Sequence, residues 1–155
     1  MGCFKTILCP IDLGPNTGLT LDAARLLAED SKAKLILFHV VPLPLEVVGQ
    51  PLLVEPLSFA QDEARARMED LAKGLGLNVP CEAVAVIGDP PHEIIRAIDE
   101  HDADLVVMAT HGRKGLSHFF LGSVAARVVR ESPVPVLTVP AHHARRKHLS
   151  PSVVI

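Results

Sequence analysis

Short apolar runs alternate with longer amphipathic stretches along the whole chain. The runs are Thr6-Ile7-Leu8-Cys9-Pro10-Ile11, Lys34 to Val41, Cys81 to Ile87, Leu105 to Met108 and Val134 to Val139. Apolar runs of this length, bounded by turn residues, read as buried strands. After the first run, Leu19, Ala23, Leu26 and Leu27 share one helical face. Asn16 or Thr17 can cap that helix, which is expected to end near Ser31. A second helix is expected over about 56 to 74, with Glu63, Arg65, Arg67, Glu69 and Asp70 outward and Gly74 and Gly76 as its stop. Residues 43 to 58, rich in Pro and Leu, read as a loop over a cleft. Gly88-Asp89-Pro90-Pro91 turns into a helix from His92 to His101, because a helix's first N–H groups lack intrahelical partners and tolerate proline. Val124 to Arg130 reads as the last helix. Strands alternating with helices in this way predict an α/β fold, a single doubly wound parallel sheet with helices on both faces.

Composition narrows the picture. A chain of 155 residues makes one domain. Hydrophobic residues are 48% of it and aromatics only 3%, a Val/Leu/Ile/Ala core that suits parallel strands covered by helices. So few aromatics argue against base stacking on single-stranded nucleic acid. The net charge of −3 offers no general attraction to nucleic acid or anionic lipid. Cys3, Cys9 and Cys81 are too few for a disulfide framework and read as small core residues. No basic start precedes a long apolar run, and no apolar stretch approaches the roughly 18 residues of a membrane span. The expectation is therefore a soluble cytoplasmic protein. The last stretch, Ala141 to Ile155, stands apart as a basic tail. It holds Arg145, Arg146 and Lys147, no acid, and His142, His143 and His148. Disorder or loose docking fits that composition better than metal binding.

The candidate chemistry lies between Asp104 and Val124. The apolar run Leu105 to Met108 gives way to a polar loop holding Gly112 and Gly115, which closes on Gly122-Ser123 before the last helix. Glycines let several backbone N–H groups turn toward one point. A helix N-terminus adds free donors and a partial positive charge. The chemistry this suits is phosphate binding, although neither GxxxxGK[ST] nor GxGxxG after a strand is present. Asp12, just past the first strand, reads equally well as a turn carboxylate. Pro10, which has no N–H, fits a strand end that has left its ladder to face a cleft. His39 reads as a packed or loop-bonded histidine rather than a ligand.

Ala109-Thr110-His111-Gly112, nine residues, then Gly122-Ser123 resembles the G-x-x-G, nine residues, G-[ST] loop of the universal stress protein family in its ATP-binding branch. Ala109 stands where that pattern has its first glycine. Gly-Asp-Pro at 88 to 90 and the ending Ser132-Pro133-Val134-Pro135-Val136-Leu137-Thr138-Val139 look similar too, so the resemblance spans residues 4 to 140. It implies an adenine nucleotide alpha hydrolase-like sheet of five strands in the order 3-2-1-4-5, which reverses between strands 1 and 4. Ligands of doubly wound sheets bind outside the strands' carboxyl ends at such a reversal. There the family's pattern puts Asp12 and Val40 at adenosine. Backbone at Ala109, Thr110, Gly112, Arg113 and Gly115 wraps the phosphates. Gly122, Ser123 and Val124 close the site, with Pro10, Ile11, Met108 and His111 beside them. The resemblance further implies ATP with Mg²⁺ and a dimeric stress-response regulator. Its dimer would pair strand 5 through Val134, Val136 and Val139, an apolar edge that needs cover. The alternative is a stress-family interaction module that does not bind nucleotide, for which Ala109 and Leu13 speak. An adenylating enzyme finds no activated nucleophile or acid/base pair. A response regulator fails because strand 1 lacks an acidic pair and strand 3 ends in Gly88.

Overall fold

The computed structural model describes residues 2–15, 17–43, 54–111 and 121–140. Strands and helices alternate as β1 (Thr6–Pro10), α1 (Thr17–Ser31), β2 (Lys34–Pro42), α2 (Val54–Gly74), β3 (Cys81–Gly88), α3 (Pro90–Glu100), β4 (Leu105–Ala109), α4 (Ser123–Glu131) and β5 (Val136–Val139). The strands form one parallel sheet in the order β3-β2-β1-β4-β5. Successive side chains on a strand point to opposite faces, and both faces are apolar. Ile7, Cys9, Leu35, Leu37 and Val107 pack with α1 and α2. Leu8, Ile36, Phe38, Val40, Val106 and Met108 pack with α3 and α4. Each such side chain contributes about 1.5–3 kcal/mol by leaving water. No helix among the described residues is long and apolar enough to cross a membrane.

Asp104 joins the two central strands at their amino ends. Its carboxylate accepts the N–H groups of Lys5 at 2.8 Å and Thr6 at 3.1 Å. At the other end the central strands part. The β1–β4 register covers Ile7↔Leu105 and Leu8↔Val106 only, whereas β1–β2 pairing runs on to Pro10↔Phe38. Asp104 donates its N–H to the Thr6 carbonyl and Ile11 donates to Phe38. Backbone groups alternate sides along a strand, so Thr6, Leu8 and Pro10 face β4 while Ile7, Cys9 and Ile11 face β2. Proline thus occupies the position whose N–H would point into the gap between the diverging strands.

Several boundaries differ from expectation. The buried face of α1 is Thr17, Thr20, Leu21, Ala24, Ala28 and Ser31, and Leu26 is 59% exposed. Small residues let the helix lie close to the sheet, and Leu19, Ala23 and Leu27 only flank the core. Helix α2 starts at Val54, so 54–58 are helical rather than loop; Pro56 falls in the first turn, where its missing N–H costs nothing. Helix α3 starts at Pro90 for the same reason. Strand β5 starts at Val136, not Val134. Ser132 Oγ donates to the Val134 carbonyl at 2.7 Å and accepts its N–H at 3.2 Å, which holds that residue in a turn.

Candidate functional site

The parted ends of β1 and β4 deliver two structures to the same end of the sheet. The first is the turn after β1. Asp12 Oδ1 accepts the Gly14 N–H at 2.9 Å and lies 3.5 Å from the Thr17 hydroxyl. The half-buried carboxylate therefore shapes the turn with one oxygen, and Oδ2 has no protein partner among the described residues. Leu13 takes a left-handed backbone, φ 59°, which turns its side chain into the core beneath α1 and α2. Ile11 is committed as well. Its side chain lies in that same core, its N–H bonds Phe38, and its carbonyl lies 2.7 Å from His39 Nδ1. A carbonyl can only accept, so Nδ1 donates and His39 pins the end of β1. The loop-bonded reading of His39 holds.

The second structure is the entry to α4. Thr110 donates its N–H to Val139 at 2.9 Å, and its carbonyl accepts the Gly122 N–H at 2.7 Å. That pair ties the end of β4 to β5 and to the entry of α4. Gly122 has φ −58° and ψ 156°, a conformation open to any residue, and caps α4 without a side-chain bond. The first helical bond runs from Ala126 to the Gly122 carbonyl. The N–H groups of Ser123, Val124 and Ala125 precede it and have no intrahelical acceptor. The Gly122 N–H is already bonded, so the donors open to an anion are those after it, together with the exposed Ser123 hydroxyl. Thr110 Oγ1 and His111 Nδ1 lie 2.9 Å apart. The other ring nitrogen, Nε2, is buried and has no hydrogen-bond partner among the described residues.

Val40, Met108 and Val124 belong to one apolar cluster on the α3/α4 face. Ala109 ends β4 opposite Val139 and is not in the left-handed region, so alanine there costs the backbone nothing. Gly112, Arg113 and Gly115 lie outside the described residues, as does the tail from Ala141. Sequence reasoning missed two positioning groups. Thr17, considered only as a cap, turns its hydroxyl toward Asp12. Arg67, assigned to an outer face, donates from Nη2 to the Leu13 carbonyl at 3.3 Å. Asp89 makes no side-chain cap for α3 but pairs with Arg127 of α4 at 3.1 Å, holding α4 against the β3–α3 turn. Among the described residues no group of three His, Cys, Asp or Glu is placed to hold a metal ion.

The sequence profile of the universal stress protein family matches residues 4–140. The chain belongs to the universal stress protein family. It is 34% identical over 139 residues to a universal stress protein of Thermus aquaticus, with 88% of this chain and 98% of that one covered. It is 28% identical over 153 residues to the universal stress protein MJ0577 of Methanocaldococcus jannaschii, covering 88% and 94%. The solved structure of MJ0577 superposes with a TM-score of 0.79 at 27% identity over 88% of this chain and 95% of that one. A universal stress protein solved in complex with cAMP gives 0.64 at 28% identity, covering 90% and 98%. The fold, with its 3-2-1-4-5 strand order, is that of these universal stress proteins.

Proposed function

We propose that this universal stress protein binds an adenine nucleotide, ATP with Mg²⁺, where β1 and β4 part, and that it acts as a dimeric stress-response regulator. The observation that carries the reading is the end of the β1–β4 ladder at Leu8 and Val106. Beyond it the Asp12 turn and the open N-terminus of α4 both follow the carboxyl ends of neighbouring parallel strands, the end of the sheet where doubly wound folds take ligands. The residues fit the two ends of a nucleotide. Asp12 Oδ2 offers an acceptor to adenosine hydroxyls, and the Val40–Met108–Val124 cluster offers an apolar wall. Ser123 and the following N–H groups offer donors to phosphate at a positive helix end. His111 Nε2 is a further buried nitrogen with no hydrogen-bond partner among the described residues. No side-chain cage for a metal is present among the described residues. Mg²⁺, which favours phosphates and water over all-protein cages, would arrive on the triphosphate. The relative solved in complex with cAMP supports an adenine ligand.

Both supports for the non-binding alternative weaken on this geometry. Ala109 sits in ordinary strand backbone, and the Leu13 side chain is in the core rather than in the gap. For assembly, β5 is the sheet edge, and Leu137 on it and Val129 on α4 are 42% and 46% exposed. These apolar side chains favour a two-fold contact along that edge. Titration calorimetry of the full chain with MgATP, AMP and adenosine tests the nucleotide reading. Saturable binding with a preference for ATP over adenosine is expected. No heat from any adenine nucleotide at millimolar concentration would leave the interaction module as the function.

A further inference from the structure

A groove of about 530 Å³ opens between α1 and α2, on the face of the sheet opposite the Val40–Met108–Val124 cluster. Its floor is apolar, with Leu21 from α1 and Leu71 and Leu75 from α2, and Asp22 and Asp70 stand on its rims. Both carboxylates are exposed and neither has an ion-pair partner among the described residues. Glu29, Glu82, Glu100, Asp89 and Glu131 are paired with Arg25, Lys34, Arg96 and Arg127, and of the other exposed acids without an ion pair among the described residues, Asp30, Asp62, Glu63 and Glu69 stand on the same two helices and Asp99 and Asp102 at the end of α3. The remaining cation of the groove, Arg67, reaches away to the Leu13 carbonyl. This side of the molecule is also the acidic one. Helices α1 and α2 together hold eight acids against four basic residues, whereas α3 and α4 hold four against three.

We propose that this groove is the docking site of the chain's own basic tail, with Arg145, Arg146 and Lys147 opposite Asp22 and Asp70 and Leu149 on the leucine floor. Charge and reach select this occupant. The tail carries +3 without an acid, which leaves −6 on the rest of the chain. It departs after β5, the edge strand on the α1 side of the sheet, and Val139 packs in the same core as α1 and α2. From β5 to the gap between α1 and α2 is three strand spacings, about 14 Å, plus roughly 10 Å out to the helix layer. Residues 141–149 extend to about 30 Å, enough to pass around α1 and lay the basic triplet at the rims. Gly18 leaves that path open, since a Cβ there would meet nothing within 4 Å.

Carbodiimide coupling, which joins a lysine to a carboxylate only in direct contact, tests this on the full chain without any nucleotide. At low salt, mass spectrometry is expected to find intrachain links from Lys147 to Asp22 or Asp70. Those links should fall at least tenfold in 0.5 M salt, where screening acts over about 4 Å, and in the Arg145→Glu/Arg146→Glu variant, which keeps Lys147. Amide exchange of segments 18–22 and 67–75 should be several-fold faster in that variant. Links from Lys147 mainly to Asp99 or Glu100 on α3, links only between copies, or links and exchange rates unchanged by Arg145→Glu/Arg146→Glu would each overturn the proposal.

Discussion

Ser123 and Asp12 mark opposite ends of the proposed nucleotide, so their variants are expected to separate its two halves. Ser123→Ala removes a hydroxyl donor to a charged acceptor, a bond worth about 1.5–3 kcal/mol. Calorimetry should show ATP affinity lower by roughly ten- to a hundredfold and adenosine affinity almost unchanged. Asp12→Ala should weaken AMP and ATP in proportion, and it also strips the Gly14 N–H and Thr17 hydroxyl of their acceptor. Asp12→Asn keeps an acceptor for Gly14 and is expected to retain the turn. Gly122→Val probes space alone. The backbone there, φ −58° and ψ 156°, accepts any side chain, so valine is expected to leave the fold intact while its bulk blocks ligand. Normal ATP binding by a folded Gly122→Val protein would put the phosphates elsewhere. Asp12, Ser123 and Gly122 were legible as loop residues in the chain. What was not legible is that the Gly122 N–H is spent on the Thr110 carbonyl, because that bond spans a loop whose closure no local pattern specifies.

The strands and helices themselves were read from hydrophobic period and turn residues, and the misses lie at their ends. Helices α1 and α3 stop without glycine. Lys32 and Asp102 take φ 55° and 51°, and Ala33 and Ala103 donate back to Ala28 and Ile98. This closing pattern usually recruits glycine; here a buried alanine after the turn holds a less favourable residue in place. Gly88 shows the reverse, a glycine required by a neighbour rather than by its own backbone. A Cβ there would come within 2.7 Å of Glu93 Cγ, and Glu93 is buried and paired with Arg96. Gly88→Ala is expected to cost about 1–3 kcal/mol in denaturant unfolding, the usual range for overpacking. Adding Glu93→Ala should recover part of that loss; strictly additive costs would place the cause elsewhere. At the β5 edge, Val136 was expected in the dimer contact, but its side chain packs against the α3/α4 core. Leu137 is the exposed residue of that strand. Light scattering should show a micromolar dimer that Leu137→Lys converts to a folded monomer. A monomeric parent chain, or a Leu137→Lys dimer, would exclude this edge.

Across the whole molecule, the centre of the sheet is closed to solvent, and Cys9 reports on it. Burial, with a smaller contribution from nearby Cys81, pushes the Cys9 thiol up to about 12 from 9.0. At mildly alkaline pH a thiol reagent should modify exposed Cys3 at once and Cys9 only as the protein unfolds. The sign of the pH effect follows. Above pH 9 the unfolded chain releases the Cys9 proton and the folded chain keeps it until about 12. Stability contributed by the neutral thiol is thus full below 9 and declines as pH rises to 12, by about 1.4 kcal/mol per unit. Chemical denaturation at stepped pH should show that slope, and Cys9→Ser should flatten it. The sequence by itself determined the α/β class, because five apolar runs separated by amphipathic helices can hide both strand faces in only one kind of layer arrangement. It also placed Asp12 and Gly122-Ser123 at strand-to-helix turns, since local residue types decide turns. Only the tertiary structure decided where β1 and β4 part, because residues about a hundred positions apart set that register. It likewise decided which face of α1 is buried, and that Arg67 ties α2 to the Asp12 turn. Periodicity marks a face as apolar. Which neighbour that face meets, and how closely, is set by packing of the assembled layers.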